Sequence, residues 1–157
     1  MCRDPAPIPF TENWSYELRL PRDPRGPRIA RVTLRAVLAC HGLGELAERA
    51  EVLASELTTN SLRHTSGPAS VTLAWLHPAL RVTVWDASPK LPGPPGTDPA
   101  SDSDGGRGLF LLEALADRWG GCAIDDGPWG PGGKSMWFEL LVHDREPPAT
   151  PAAAVAA

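Results

Sequence analysis

The chain has 157 residues, 42% hydrophobic and 22% charged, with a formal net charge of −4. That length suits one domain with a sizeable core, and the composition excludes a wholly disordered chain. The acidic balance argues against a general nucleic-acid binder, no apolar run approaches the ~18 residues that span a bilayer, and the N-terminal MCRDPAPIPF has no apolar stretch of a secretory signal.

Residues 1–12, with Pro5, Pro7 and Pro9, read as a flexible leader. Residues 13–143 read as one folded domain, and 144–157, rich in Pro and Ala, as a disordered tail. Residues 14–20 alternate Trp14, Tyr16, Leu18 and Leu20 with Ser15, Glu17 and Arg19, which predicts a strand. Residues 27–40 predict a helix with Ile29, Val32, Ala36 and Ala39 inward, broken by Gly42 and Gly44. Residues 45–64 predict a long helix whose apolar stripe is Leu46, Ala50, Leu53 and Leu57.

Residues 70–76 and 80–86 predict a hairpin around His77, Pro78 and Ala79. The stretch 88–106 carries five prolines followed by SDSDGG, and reads as a lid or binding loop inside the domain. Residues 108–119 predict a third helix with Leu109, Leu112 and Ala116 inward. Residues 121–124 predict a short strand. Residues 134–142 predict a last strand with Met136, Phe138, Leu140 and Val142 on one face. The order β-α-α-β-β-α-β-β partly segregates helices from strands. It predicts an α+β fold, a two-layer α/β sandwich with a mixed, mostly antiparallel sheet and about three helices on one face.

Three places carry candidate chemistry. On the second predicted helix, Glu56, Asn60 and Arg63 are spaced 4 and 3 and share a stripe at the edge of the buried face. A carboxylate, an amide and a guanidinium suit a base, a metal ligand and a phosphate clamp; an ordinary solvated helix face gives the same pattern. Asp86 ends a strand on the same face as Val82 and Val84. A charge there needs a partner. It could accept a hydrogen bond from an amino group, such as that of adenine, or simply form the turn before Ser88 and Pro89. Gly105, Gly106, Arg107 and Gly108 open the third helix, where glycines let backbone N–H groups approach an anion.

Other features read as background. GPWGPGGKS places five residues between Gly127 and Gly133, where a P-loop needs four, and the MWFELLV that follows alternates as a strand. Six tryptophans read as core or rim packing. Arg22, Arg25, Arg28, Arg31 and Arg35 form a local basic patch, either a solvated face or a dock for an acidic partner. The four histidines and three cysteines lack metal-ligand spacing, and the cysteines read as free thiols of a reducing cytosol.

Taken together and in order, ELTTNSLRHT, VTVWDASP and GGRGLFLLEALADRWG resemble the N box and the two glycine boxes of the GHKL (Bergerat-fold) ATPases, and GGKSMWFEL resembles their last strand. Within that group the chain is similar to standalone anti-sigma-factor serine kinases and related small ATP-binding regulators of the actinobacterial type. The resemblance spans residues 14 to 142. It implies ATP and Mg2+ as ligands. Glu56 would be the general base, Asn60 the Mg2+ ligand, and Arg63 a neighbour of the phosphates. Asp86, with Ser88 beside it, would bind the adenine amino group. Gly106, Arg107, Gly108 and Leu109 would form the lid hinge and phosphate-facing helix start, and Ser135 would stand near the adenine. Where the first glycine box usually reads Asp-x-Gly-x-Gly, this chain has Asp86, Ala87, Ser88 and Pro89.

The implied function is a cytoplasmic ATP-dependent protein serine/threonine kinase that binds a sigma factor and phosphorylates an anti-anti-sigma antagonist of the STAS type. The alternative is a non-catalytic nucleotide- or partner-binding module of the same fold. Neither reading implies direct contact with nucleic acid or membrane, and both admit a homodimer.

Overall fold

The computed structural model describes residues 5–88, 91, 105–128 and 132–143. The expected tail, and the expected lid apart from Ser88, Leu91, Gly105 and Gly106, lie outside the described residues. The elements in chain order are β1 (Trp14–Leu20), α1 (Gly26–Cys40), a single 3₁₀ turn (Gly44–Leu46), α2 (Ala47–His64), β2 (Ala69–Leu76), β3 (Ala79–Asp86), α3 (Gly105–Leu115), β4 (Arg118–Ile124) and β5 (Gly133–Leu141). The five strands form one sheet in the order β1-β2-β3-β5-β4. Every neighbouring pair is antiparallel, so the mostly antiparallel sheet predicted from the sequence is wholly so.

Strand alternation sorts the sheet into two faces. Val71, Leu73 and Trp75 of β2, Leu80, Val82 and Val84 of β3, and Met136, Phe138 and Leu140 of β5 are buried. They form one core with Ala30, Leu34 and Leu38 of α1, Leu53 and Leu57 of α2, and Leu112 of α3. The opposite face is polar and half-exposed. There Arg81 lies 4.2 Å over the Trp137 ring and donates to Glu139 at 2.9 Å. Helices therefore cover one face only, which makes the expected two-layer α+β sandwich.

The buried stripe of α2 is the one its spacing predicts, since Leu46, Ala50, Leu53 and Leu57 are all buried. The inward face of α1 is not. Ala30, Leu34 and Leu38 face the core, while Ile29 and Val32 are 46% and 59% exposed and Ala36 and Ala39 lie outside. The helix carries two apolar stripes, and the one with two leucines at a spacing of four removes more apolar surface from water. Pro27 sits in the first turn of α1, and Asp23 accepts the Arg25 backbone N–H at 2.8 Å just before it.

The third helix also departs from its predicted span of 108–119. It starts at Gly105 and stops at Leu115, and Trp119 belongs to β4. The apolar pattern runs on, but β5 captures the backbone. Asp117 N–H donates to Glu139 O at 3.0 Å, and Asp117 Oδ2 accepts the Leu141 N–H at 2.7 Å.

An ion pair ties α1 to α2. Arg35 Nε donates to Glu51 Oε1 at 2.9 Å, and a second guanidinium nitrogen bonds Oε2. These bonds hold the Glu51 carboxyl below its ordinary pKa of 4.5. A depressed carboxylate contributes all of its stability above the unfolded-state pKa and loses it as pH falls through the folded-state value. We expect this contribution to be constant from neutrality down to about pH 5 and to fall at lower pH. Urea midpoints measured across that range should show Glu51→Gln with a shallower acid decline than the parent. Equal declines would place the acid sensitivity in other carboxylates.

Candidate functional site

Helix α2 presents Glu56 and Asn60 one turn apart, beside its buried leucines. Both meet the start of α3. A Cβ at Gly108 would lie 3.0 Å from Asn60 Nδ2, so the glycine leaves the room that the amide occupies. Arg107 Nε lies 3.8 Å from Glu56 Oε1. Two residues chosen from an α2 stripe and two from a glycine-rich segment far along the chain therefore share one seam. Glu56 keeps a quarter of its side chain exposed there, and Arg107 more than half.

Asp86 closes β3 on the core face and is 1% exposed. Burying a carboxylate this deeply requires compensation. The Ser88 backbone N–H donates to Asp86 Oδ1 at 2.9 Å, closing a local turn. Lys134 of β5 is opposite Asp86 in the sheet register. Its Nζ lies 3.0 Å from both carboxylate oxygens and is aligned as a hydrogen-bond donor only to Oδ1. Oδ2 is buried and accepts no hydrogen bond from a described residue. The Lys134 side chain is 7% exposed, so this is an ion pair within the fold and not on its surface. Gly133 precedes it because a Cβ there would run into the Asp86 carbonyl oxygen.

The remaining predicted residues are placed differently. Ser135 pairs with Trp85 and Cys122 in the register, on the opposite sheet face from Asp86. The position of β5 that shares the Asp86 face is Lys134. Ser88 serves Asp86 through its backbone, with its side chain half-buried. Gly106 lies in the first turn of α3, and Leu109 packs against the core. Arg63, at the exposed end of α2, lines a cleft toward α1. The sequence assigns Lys134 no role beside Asp86, where the structure places it. Its signal is the alternation of β5 with Met136, Phe138 and Leu140, which puts a lysine on an otherwise apolar face.

Among the described residues, no group of three or more His, Cys, Asp or Glu side chains is arranged to hold a metal ion, and no helix is long and apolar enough to cross a membrane. Comparison with curated proteins returns no match. Residues 20–134 match the family model described as the histidine kinase-like ATPase domain. That span contains α1, α2, the Asp86 strand end, the α3 start and Lys134, so the match and the geometry concern the same elements. The chain belongs to the histidine kinase-like ATPase domain family.

Proposed function

We propose that the protein binds Mg-ATP at the α2–α3 seam and the Asp86 strand end. We further propose that it acts as an anti-sigma-factor-type serine/threonine protein kinase, cytoplasmic, with a sigma factor and a STAS-type antagonist as partners. The observation that carries this reading is the meeting of Glu56 and Asn60 with Arg107 and Gly108 across α2 and α3. An amide beside a glycine-opened helix start suits a phosphate chain with its cation. The carboxylate one turn earlier suits proton removal from an attacking hydroxyl. The buried Asp86 Oδ2 retains an unused acceptor of the kind an adenine amino group needs.

The donors fit Mg2+ held mainly by phosphates, because this ion commonly takes only one or two protein ligands and keeps waters. Asn60 would supply its amide oxygen. When bound, the ion would offset the negative charge of the phosphates. Glu56 would accept the proton of the incoming serine hydroxyl, and Arg107 would hold the Glu56 side chain toward the seam. Calorimetric titration with ATP, with and without Mg2+, tests the binding half. Phosphate transfer to candidate antagonists tests the catalytic half.

One observation favours the second reading, a non-catalytic module. Asp86 is 1% exposed and already paired with Lys134, so in this arrangement the carboxylate is closed to a ligand. Partner binding without measurable affinity for Mg-ATP would select it.

Gly108→Ala separates binding from stability. Its Cβ would press on the Asn60 amide, which must give way by a few tenths of an ångström. Replacing glycine within a helix by alanine otherwise favours folding by roughly 0.5–1 kcal/mol. We expect an unchanged or raised melting temperature and a Mg-ATP affinity lowered about fivefold. Unchanged affinity would remove Asn60 from the site.

A further inference from the structure

A cavity lies between α1 and α2, and Glu56, Asn60 and Asp86 are not among its described lining residues. It has a volume of about 610 Å³ and opens between the start of α1 and the outer stripe of α2. Four arginines line it: Arg22, Arg28, Arg31 and Arg63. Among the described residues the acidic one that lines it is Asp23, and its carboxylate is already held by Arg25 through bonds of 2.9 and 2.7 Å. The described part of the wall is thus rich in arginine in a chain whose net charge is −4. Like charges gathered on one concave wall repel one another and raise the local concentration of anions. Arg22 is fixed there by donating its Nε to Thr65 O at 3.0 Å.

Ser55 supplies an independent observation. Hydroxyls inside a helix commonly donate to the carbonyl four residues back. Thr58 does so to Ala54 O at 2.6 Å, and Ser61 to Leu57 O at 3.0 Å. Ser55 lines the cavity, yet its Oγ is buried and has no hydrogen-bond partner. A buried hydroxyl left unpaired costs free energy unless a ligand or water completes it.

We propose that this α1–α2 cavity binds a small phosphorylated molecule, a phosphomonoester or diphosphate. The guanidinium fork matches phosphate oxygens in pairs, which an ammonium cannot do. Rotation of the Ser55 side chain about χ1 brings its hydroxyl out to donate to a remaining oxygen. The volume lies within the range of small-molecule sites, roughly 300–1,000 Å³.

Pyrophosphate titrated into the full chain by calorimetry tests the proposal. Arg28 and Arg31 are both exposed, so Arg28→Ala/Arg31→Ala should fold normally, which a melting curve checks. This variant is expected to weaken pyrophosphate binding by at least about tenfold. Ser55→Ala should weaken it less while leaving the melting temperature unchanged or higher, so it carries the test if the double variant fails to fold. Asn60→Ala should leave pyrophosphate affinity unchanged, which separates this cavity from the nucleotide site whether or not that site binds ATP. Absence of binding at millimolar pyrophosphate would overturn the proposal. So would loss in Asn60→Ala with retention in the arginine variant. A hexaglutamate peptide that binds as tightly, with the same arginine dependence, would also overturn it and make the cavity a dock for acidic protein segments.

Discussion

Asp86→Ala is expected to lower the unfolding free energy by about 3–5 kcal/mol, the cost of leaving a buried charge without its partner. The group left behind is the Lys134 ammonium, 7% exposed and paired with Asp86 at 3.0 Å. Domains of this size are stable by only about 5–15 kcal/mol, so the variant should lose a large share of its stability. The Ser88 backbone N–H would lose its acceptor as well. Urea denaturation measures the effect, and a double-mutant cycle identifies its source. Asp86→Ala/Lys134→Met should recover most of the loss, because it removes both charges and places an apolar chain of similar length against the core. A loss below about 1 kcal/mol in the single variant would mean that Lys134 reaches solvent when Asp86 is absent. The pair also bears on nucleotide assays. Weak binding by Asp86→Ala can come from the fold alone, so affinity is better read in Asp86→Ala/Lys134→Met, which removes the same carboxylate without stranding the Lys134 charge.

Glu56→Gln is expected to reduce phosphate transfer to the antagonist by about 10²–10⁴-fold, the usual contribution of a positioned general base. The amide preserves shape but cannot take a proton. Glu56 contacts Arg107 at 3.8 Å and is partly exposed, so the substitution should leave the fold intact and Mg-ATP affinity little changed. Asn60→Ala should behave in the opposite way, losing the Mg2+-dependent part of the affinity. Single-turnover transfer, with binding measured separately by calorimetry, distinguishes the two. Full transfer by Glu56→Gln would assign proton removal to another group or to water.

Much of the fold was legible because it rests on local periodicity. The β2–β3 hairpin follows from two alternating runs separated by a short turn, and its register pairs Val71 with Val84 and Leu73 with Val82. The α2 face follows from four apolar positions spaced 4, 3 and 4. The same helix period places Glu56 and Asn60 together at the edge of that face. Asp86 was legible as an inward charge because it continues the parity of Val82 and Val84.

Periodicity does not say which of two apolar stripes meets the sheet, and α1 carries two. Packing chose Ala30, Leu34 and Leu38 and left Ile29 and Val32 in solvent. Nor does it fix a helix end when the next strand competes for the backbone, as β5 does at Asp117. The approach of Arg107 and Gly108 to α2 joins segments about fifty residues apart, and only the packed layers bring them together.

By itself, the sequence determined the element order, the two-layer class, the α2 stripe and the inward direction of Asp86, because these depend on neighbours a few residues away. Tertiary structure alone decided that β5 lies between β3 and β4, so that Lys134 and not Ser135 faces Asp86. It also decided that Arg63 turns toward α1. The reason is physical: strand order and helix rotation are set by burial and hydrogen bonding between distant segments, and a one-residue change in strand parity exchanges the side chain that reaches the site.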